Sequence, residues 1–218
     1  RRIALLTIAR VGFRPRQMVL GMMLATGFIS MWVTNTATTL MMLPIGISVL
    51  ALVAERSRAG GESGSEVQEQ NLRRFGTCLT LAIAWSATMG GLGTLLGSPP
   101  NAIVAGYASE ELGRTIGFLD WMIVGVPLAF SFILITWLLM TRVLYRFQLE
   151  ELAGGREMIR DEIRKLGSLT QGEKMVLAVF AGAAFLWIVP PVLANIPIVA
   201  AHLGWFGELD DTAIAIAA

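Results

Sequence analysis

At 218 residues, with a mean hydropathy of +0.65 and only 15% charged side chains, the chain falls outside the ordinary soluble domains. Several uncharged runs exceed the ~20 residues that cross a bilayer, so the fold class is an all-α, multi-pass integral membrane protein. A net charge of +1 makes no case for nucleic acid, and the single cysteine, Cys78, excludes an intrachain disulfide and reads as a small buried hydrophobe.

The placement of charge fixes a topology. Of 17 basic residues, 5 lie in Arg1–Arg16, 4 in Glu55–Arg74 and 7 in Arg142–Lys174, with only Arg114 elsewhere. The positive-inside rule assigns these three clusters to the cytoplasm. The connector 110–120, with Glu110, Glu111, Arg114 and Asp120, then faces outward.

Residues 1–16 form a basic segment without an initiator methionine or the pattern of a signal peptide, and the chain ends inside the apolar DDTAIAIAA; together these predict an internal piece of a longer protein. Residues 17–54 carry no ionisable side chain, and both ends are assigned to the cytoplasm. The run must therefore enter and return. Two arms of about 15 to 18 residues reach roughly 25 Å each, too short to span, so the turn of this re-entrant hairpin lies within the membrane. That turn is SMWVTNTATTLMMLP, Ser30–Pro44, whose polar residues are Thr34, Asn35, Thr36, Thr38 and Thr39. Polar groups and non-helical backbone are tolerated at that depth only against protein or a water-filled cavity, which makes the tip a candidate binding site. The alternative is one transmembrane helix whose threonines bond back to their own carbonyls; Asn35, flanked by two threonines, argues against it.

Residues 55–74, rich in Gly, Ser and charge, read as a cytoplasmic loop. Residues 75–109 run from inside to outside but are too long for one straight helix, and their middle is GGLGTLLGSPPNAI. The glycines weaken helix, and Pro99 and Pro100 begin a helix more readily than they continue one. A broken transmembrane helix is expected, interrupted at Gly97–Pro100 and restarted with Ser98 as N-cap, against the alternative of a simple proline kink. Residues 121–145 form a transmembrane helix bent at Pro127. Residues 146–174 hold alternating charges with Ile159, Ile163 and Leu166 at helical spacing, a connector helix on the cytoplasmic face or else a solvated linker. A further transmembrane helix over 175–189 is stopped by Pro190 and Pro191; 190–210 is an outer loop holding the interfacial His202, and 211–218 begins the next span.

A hairpin tip exposes the carbonyl end of one arm and the amide end of the other. The first favours a small hard cation such as Na⁺, with the Ser30 hydroxyl, the Asn35 amide oxygen and carbonyls near Val33 and Thr34 as ligands. The second favours an oxyanion, on the N–H groups and hydroxyls of Thr36 to Thr38. The break at Gly97–Pro100 repeats the arrangement, and discontinuous helices aimed at a mid-membrane site are the recurring device of secondary transporters. Clustered His, Cys or carboxylates within a span, GxSxG and phosphate loops are all missing, so the chain is not read as an enzyme. An anion channel or sensor remains the alternative of another class.

SMWVTNTATTLMMLP followed by GTLLGSPPNAI closely resembles the divalent anion/sodium symporter family of sodium-coupled dicarboxylate, citrate and sulfate transporters. The resemblance covers the first of two inverted repeats and the start of the second. It implies a homodimeric elevator in a bacterial inner membrane, whose transport domain, containing the hairpin and the broken helix, slides against a scaffold. It further implies a Na⁺ site of Ser30, Thr34, Asn35 and Gly97, with the anion, a C4 dicarboxylate such as succinate or malate, held by Thr34, Asn35, Thr36, Ser98 and Pro99. Thr34 stands where the family usually has serine, and its methyl narrows the substrate pocket. Some relatives perform sodium-independent exchange or carry sulfate, and both stay open here.

Overall fold

The computed structural model describes residues 2–59, 66–147, 164 and 167–194. The described residues form α1 (Arg2–Val11), α2 (Pro15–Ser30), α3 (Asn35–Ala59), α4 (Glu66–Gly91), α5 (Pro99–Leu112), α6 (Phe118–Leu139), which ends in a π-helical turn at Met140–Leu144, and α7 (Gln171–Ala194). Among the described residues three stretches are long and apolar enough to cross a membrane: Asn35–Glu55, Phe118–Leu144 and Gln171–Pro190. The chain divides into one unit of Arg1–Ala102 and Val124–Leu166, and another of Ile103–Ile123 and Gly167–Ala218.

The first unit is organised on α4, against which α2 and α3 both pack, while α1 lies on α2. Small residues make these crossings possible, because without a hydrophobic drive in lipid, helices associate by close backbone approach. A Cβ on Gly90 of α4 would sit 2.2 Å from the Gly27 carbonyl of α2, so the two backbones touch. Further along the same helices, buried Met18, Met22, Phe75, Leu79 and Ile83 belong to one apolar core. The turn between α1 and α2 needs Gly12, whose φ of +131° is a conformation that L side chains rarely adopt. Pro15 then opens α2 at a position where a missing N–H costs nothing.

The C-terminal part of α6 belongs to the same unit. Ile133 packs over Gly27, Phe147 meets Phe75 edge-on at 5.3 Å, and the Trp137 indole N–H donates to the Arg16 carbonyl at 2.9 Å. Trp137→Phe keeps the ring and loses that bond. It is expected to cost about 1 kcal/mol, read as a fall of roughly 2–4 °C in the melting temperature of the purified full-length protein.

In the second unit α5 ends at Gly113, with φ +60°, where the Arg114 N–H turns back to the Ala108 carbonyl at 3.0 Å. A capping box opens α7: Thr170 accepts from the Glu173 N–H at 3.2 Å, and the Glu173 carboxylate accepts from the Thr170 N–H at 2.8 Å. Phe118 stacks on Trp187 at 4.8 Å.

Three elements differ from the sequence reading. The loop expected over 55–74 is shorter, because α3 runs to Ala59 and α4 begins at Glu66. Good helix formers and the Glu69–Arg73 pair at 2.7 Å extend α4 backward, and the Gln68 amide ties it to Ser57. The hairpin arms are unequal: α2 has 16 residues and α3 has 25. Only α2, about 24 Å long, is below the ~30 Å of hydrocarbon. Third, α7 passes through Pro190 and Pro191 to Ala194. The φ that proline fixes is helical, so the pair thins the hydrogen-bond ladder without ending the helical path for another turn. The connector expected over 146–174, the outer loop 190–210 and the next span 211–218 lie outside the described residues, except for 146, 147, 164, 167–174 and 190–194.

Candidate functional site

Carbonyl bookkeeping at the end of α2 shows which oxygens are free. The Met31 N–H donates to the Gly27 carbonyl, and the Trp32 and Val33 N–H groups both donate to Ile29. The Thr38 N–H takes the Thr34 carbonyl at 2.9 Å, and the Thr38 hydroxyl takes that of Val33 at 3.4 Å. The carbonyls expected to meet a cation, those near Val33 and Thr34, therefore already accept hydrogen bonds. Among the described residues no hydrogen bond ends on the Ser30 carbonyl. The Ser30 side chain is buried, and its hydroxyl donates to Asn35 Oδ1 at 2.7 Å.

The break in the second element is longer than the sequence predicts. Helix α4 ends at Gly91, residues Leu92–Ser98 are unwound, and α5 restarts at Pro99. The last turn tightens, with the Gly93 N–H donating three residues back to Gly90 at 2.9 Å. Asn101, 4% exposed, supplies what the helix ladder has lost, its side-chain amide donating to the Gly91 and Thr94 carbonyls at 2.7 Å each. Buried Thr94 donates its hydroxyl to the Met31 carbonyl and accepts the Gly97 N–H at 3.1 Å.

These bonds bring the two broken elements together. A Cβ placed on Gly97 would lie 2.6 Å from the Gly91 carbonyl and 2.8 Å from that of Ser30; one placed on Gly91 would lie 2.4 Å from Asn35 Oδ1 and 3.1 Å from the Gly97 carbonyl. Ser30, Asn35 and Gly97 thus share one small, neutral, oxygen-rich space with Gly91. Among the described residues no group of three His, Cys, Asp or Glu is placed to hold a metal. Any cation here is met by carbonyl, hydroxyl and amide oxygens, the donor set that suits a small hard monovalent ion.

The amide ends tell the two elements apart. The N–H groups of Asn35, Thr36 and Ala37 make no backbone hydrogen bond among the described residues, and no acidic residue lies in the first turn of α3. Thr34 and Thr36 are exposed beside them. Thr38 is buried and committed to the tip, so it leaves the expected anion set. At α5, Pro99 and Pro100 lack N–H groups and the Asn101 N–H is taken by the Ser98 carbonyl at 3.0 Å. Half-buried Ser98 and exposed Pro99 lie at its edge. Among the described residues the open N–H donors therefore lie mainly on the hairpin. Thr94, Asn101 and Gly91 were not singled out as site residues from sequence, although a hydroxyl and an amide bracketing Gly-Ser-Pro-Pro were the available signal.

Against known families, residues 1–217 match the sodium:sulfate symporter transmembrane region. The chain is 34% identical over 215 residues to a sodium-dependent dicarboxylate transporter, SdcS, of Staphylococcus saprophyticus, covering 99% of this chain and 39% of that protein. It is 37% identical over 187 residues to the protein of the same name from Staphylococcus aureus, covering 86% of this chain and 35% of that one. The chain thus spans less than half the length of these relatives, which are transport proteins and not enzymes. With apolar helices of spanning length and a match along nearly its whole extent, the chain is an integral membrane protein that belongs to the sodium:sulfate symporter transmembrane-region family.

Proposed function

We propose that this chain carries one half of the binding site of a Na⁺-driven importer of a divalent anion, a C4 dicarboxylate such as succinate or malate. The observation that carries this reading is the hairpin tip. Among the described residues it offers an unbonded Ser30 carbonyl on its first arm and amides without a backbone partner at Asn35–Ala37 on its second, with Asn35 shared between them. Helix-end dipoles make the first side partially negative and the second partially positive, so one turn binds both members of a coupled pair. In this reading the Na⁺ ligands are Ser30, Asn35 and Gly97, joined by the second lone pair of the Thr34 carbonyl, whose first accepts the Thr38 N–H, and the anion is held by Thr34, Asn35, Thr36, Ser98 and Pro99. The names of the relatives, sodium-dependent dicarboxylate transporters, support both partners.

The mechanism follows from the two elements together. Cation entry neutralises the converging carbonyls and fixes the Asn35 side chain, which completes the anion side. An empty carbonyl cluster leaves Asn35 unsupported and the anion weakly held, which ties one flux to the other. The hairpin is re-entrant, its tip lying within the bilayer of a bacterial inner membrane, and the unit built on α4 moves as a body against a scaffold in a homodimer. Uptake of labelled succinate by the full-length protein in liposomes tests the reading. Accumulation is expected only with an inward Na⁺ gradient, and excess sulfate is expected to leave it unchanged. Uptake indifferent to Na⁺ would make the protein an exchanger, non-saturating flux a channel, and competition by sulfate would replace the dicarboxylate with an inorganic divalent anion.

A further inference from the structure

We propose that Thr94 and Asn101, which ligate neither ion in the reading above, are the positioning residues that set the Na⁺ affinity of the site by clamping the unwound segment of α4–α5 to the hairpin tip. The inference rests on that reading of the site.

The physical problem is one of repulsion. Carbonyls of Ser30, Gly91 and Gly97 crowd around the Gly91–Gly97 contact, and without a cation their negative ends have no reason to stay together. Residues 92–98 are outside any helix, so the regular ladder does not hold them either. Thr94 and Asn101 supply four hydrogen bonds at this point, and both side chains are buried. Asn101 spends its two amide hydrogens on Gly91 and Thr94, and each carbonyl keeps a second lone pair. Thr94 works across the two elements. Its hydroxyl donates to Met31, an orphan carbonyl at the end of α2, and accepts the N–H of Gly97, which aims the peptide of a proposed ligand.

The division of labour at the tip is then specific. Of the adjacent carbonyls, Met31 is tied down by Thr94 while Ser30 is left open. Releasing Met31 would free the tip to rotate and let either oxygen face the cleft. Preorganisation of this kind lowers the cost of gathering ligands at the moment of binding, so its loss appears in cation affinity first.

The test uses the full-length protein, in liposomes for uptake and in detergent for thermal stabilisation by NaCl without substrate. Thr94→Val keeps the shape and removes the hydroxyl. It is expected to raise the half-saturating Na⁺ concentration about tenfold or more, to weaken stabilisation by NaCl in parallel, and to change the succinate KM at saturating Na⁺ by less than about twofold. Thr94→Ser retains both hydrogen bonds and is expected to restore the parental Na⁺ dependence. If parental uptake ignores Na⁺, the proposed function fails. If the parent is Na⁺-dependent and folded Thr94→Val shares its Na⁺ dependence, or if Thr94→Ser is as impaired as Thr94→Val, the clamp fails and the function stands. Should Thr94→Val not fold, amide hydrogen exchange on the parent decides: slow exchange at Gly97 in Na⁺-free buffer supports the clamp, and exchange at the rate of an open loop overturns it.

Discussion

Gly90→Ala is expected to leave little folded protein, whereas Gly27→Ala, on the other side of the same contact, is expected to be mild. The two glycines touch, but what a new Cβ would meet is different. At Gly90 it would lie 2.2 Å from the Gly27 carbonyl oxygen, 2.5 Å from its Cα and 2.7 Å from its carbonyl carbon, all backbone. Nothing there can rotate away, so α2 and α4 must separate by close to an ångström along a well-packed seam. Overpacking of this kind costs about 3 kcal/mol or more, and it strikes the contact that holds the hairpin against the helix carrying the break. At Gly27 the nearest atom is the tip of Ile133, at 2.4 Å, and the next is an ordinary 3.5 Å contact. A rotamer change of Ile133 relieves the clash, at about 1 kcal/mol. Gly46→Ala belongs with the mild class, since its nearest neighbour is the Ile83 methyl at 2.6 Å. Thermal unfolding of the three full-length variants in detergent checks the order. A drop of roughly 6–12 °C or an aggregated product is expected for Gly90→Ala, with at most about 4 °C for the others. Equal losses at Gly27 and Gly90 would show that the seam is not backbone on backbone.

Much of this architecture was legible because lipid restricts the choices. Uncharged runs bounded by basic clusters announce helices, and a polar Asn35 in such a run announces a place where helix geometry stops. The restart of α5 at Pro99 followed from proline stereochemistry alone. The start of the break did not. Gly97 was the expected point, yet α4 gives way at Gly91, because Asn101 reaches back to carbonyls that regular helix would otherwise satisfy. A hydrogen bond between residues ten apart in sequence, across the unwound segment, has no sequence periodicity. The same holds for Thr38, whose hydroxyl looked free for an anion but closes the tip. The length of α3 was missed for a plainer reason: charge at Glu55 marks where apolar side chains end, while the helix itself continues to Ala59.

Asn35→Ala is expected to reduce Na⁺-driven uptake by about a hundredfold or more while leaving the fold nearly intact. Asn35 is half-buried at the first position of α3, and its Oδ1 accepts the Ser30 hydroxyl at 2.7 Å and borders Gly91. Alanine is a good helix former at that position, and what the fold loses is the bond from the Ser30 hydroxyl, so stability should fall by about 1 kcal/mol. The functional loss is larger because, in the proposed site, the cation and the anion share this one side chain. Removing Oδ1 takes an oxygen from the carbonyl cluster, and removing the amide takes a donor from the anion side. Each loss is worth roughly 1–3 kcal/mol, and in a coupled transporter the two multiply. Asn35→Asp separates them. The carboxylate keeps an oxygen for the cation and adds a negative charge beside a divalent anion, so the Na⁺ requirement is expected to change little while the succinate KM rises at least about tenfold. Thr36→Ala removes one exposed hydroxyl and should raise that KM by only about fivefold. Uptake kinetics of the full-length variants at varied Na⁺ and varied succinate distinguish these outcomes. Parental kinetics in Asn35→Ala would place both binding sites away from the hairpin tip, and an Asn35→Asp variant that loses Na⁺ dependence but keeps its succinate KM would assign the residue to the cation alone.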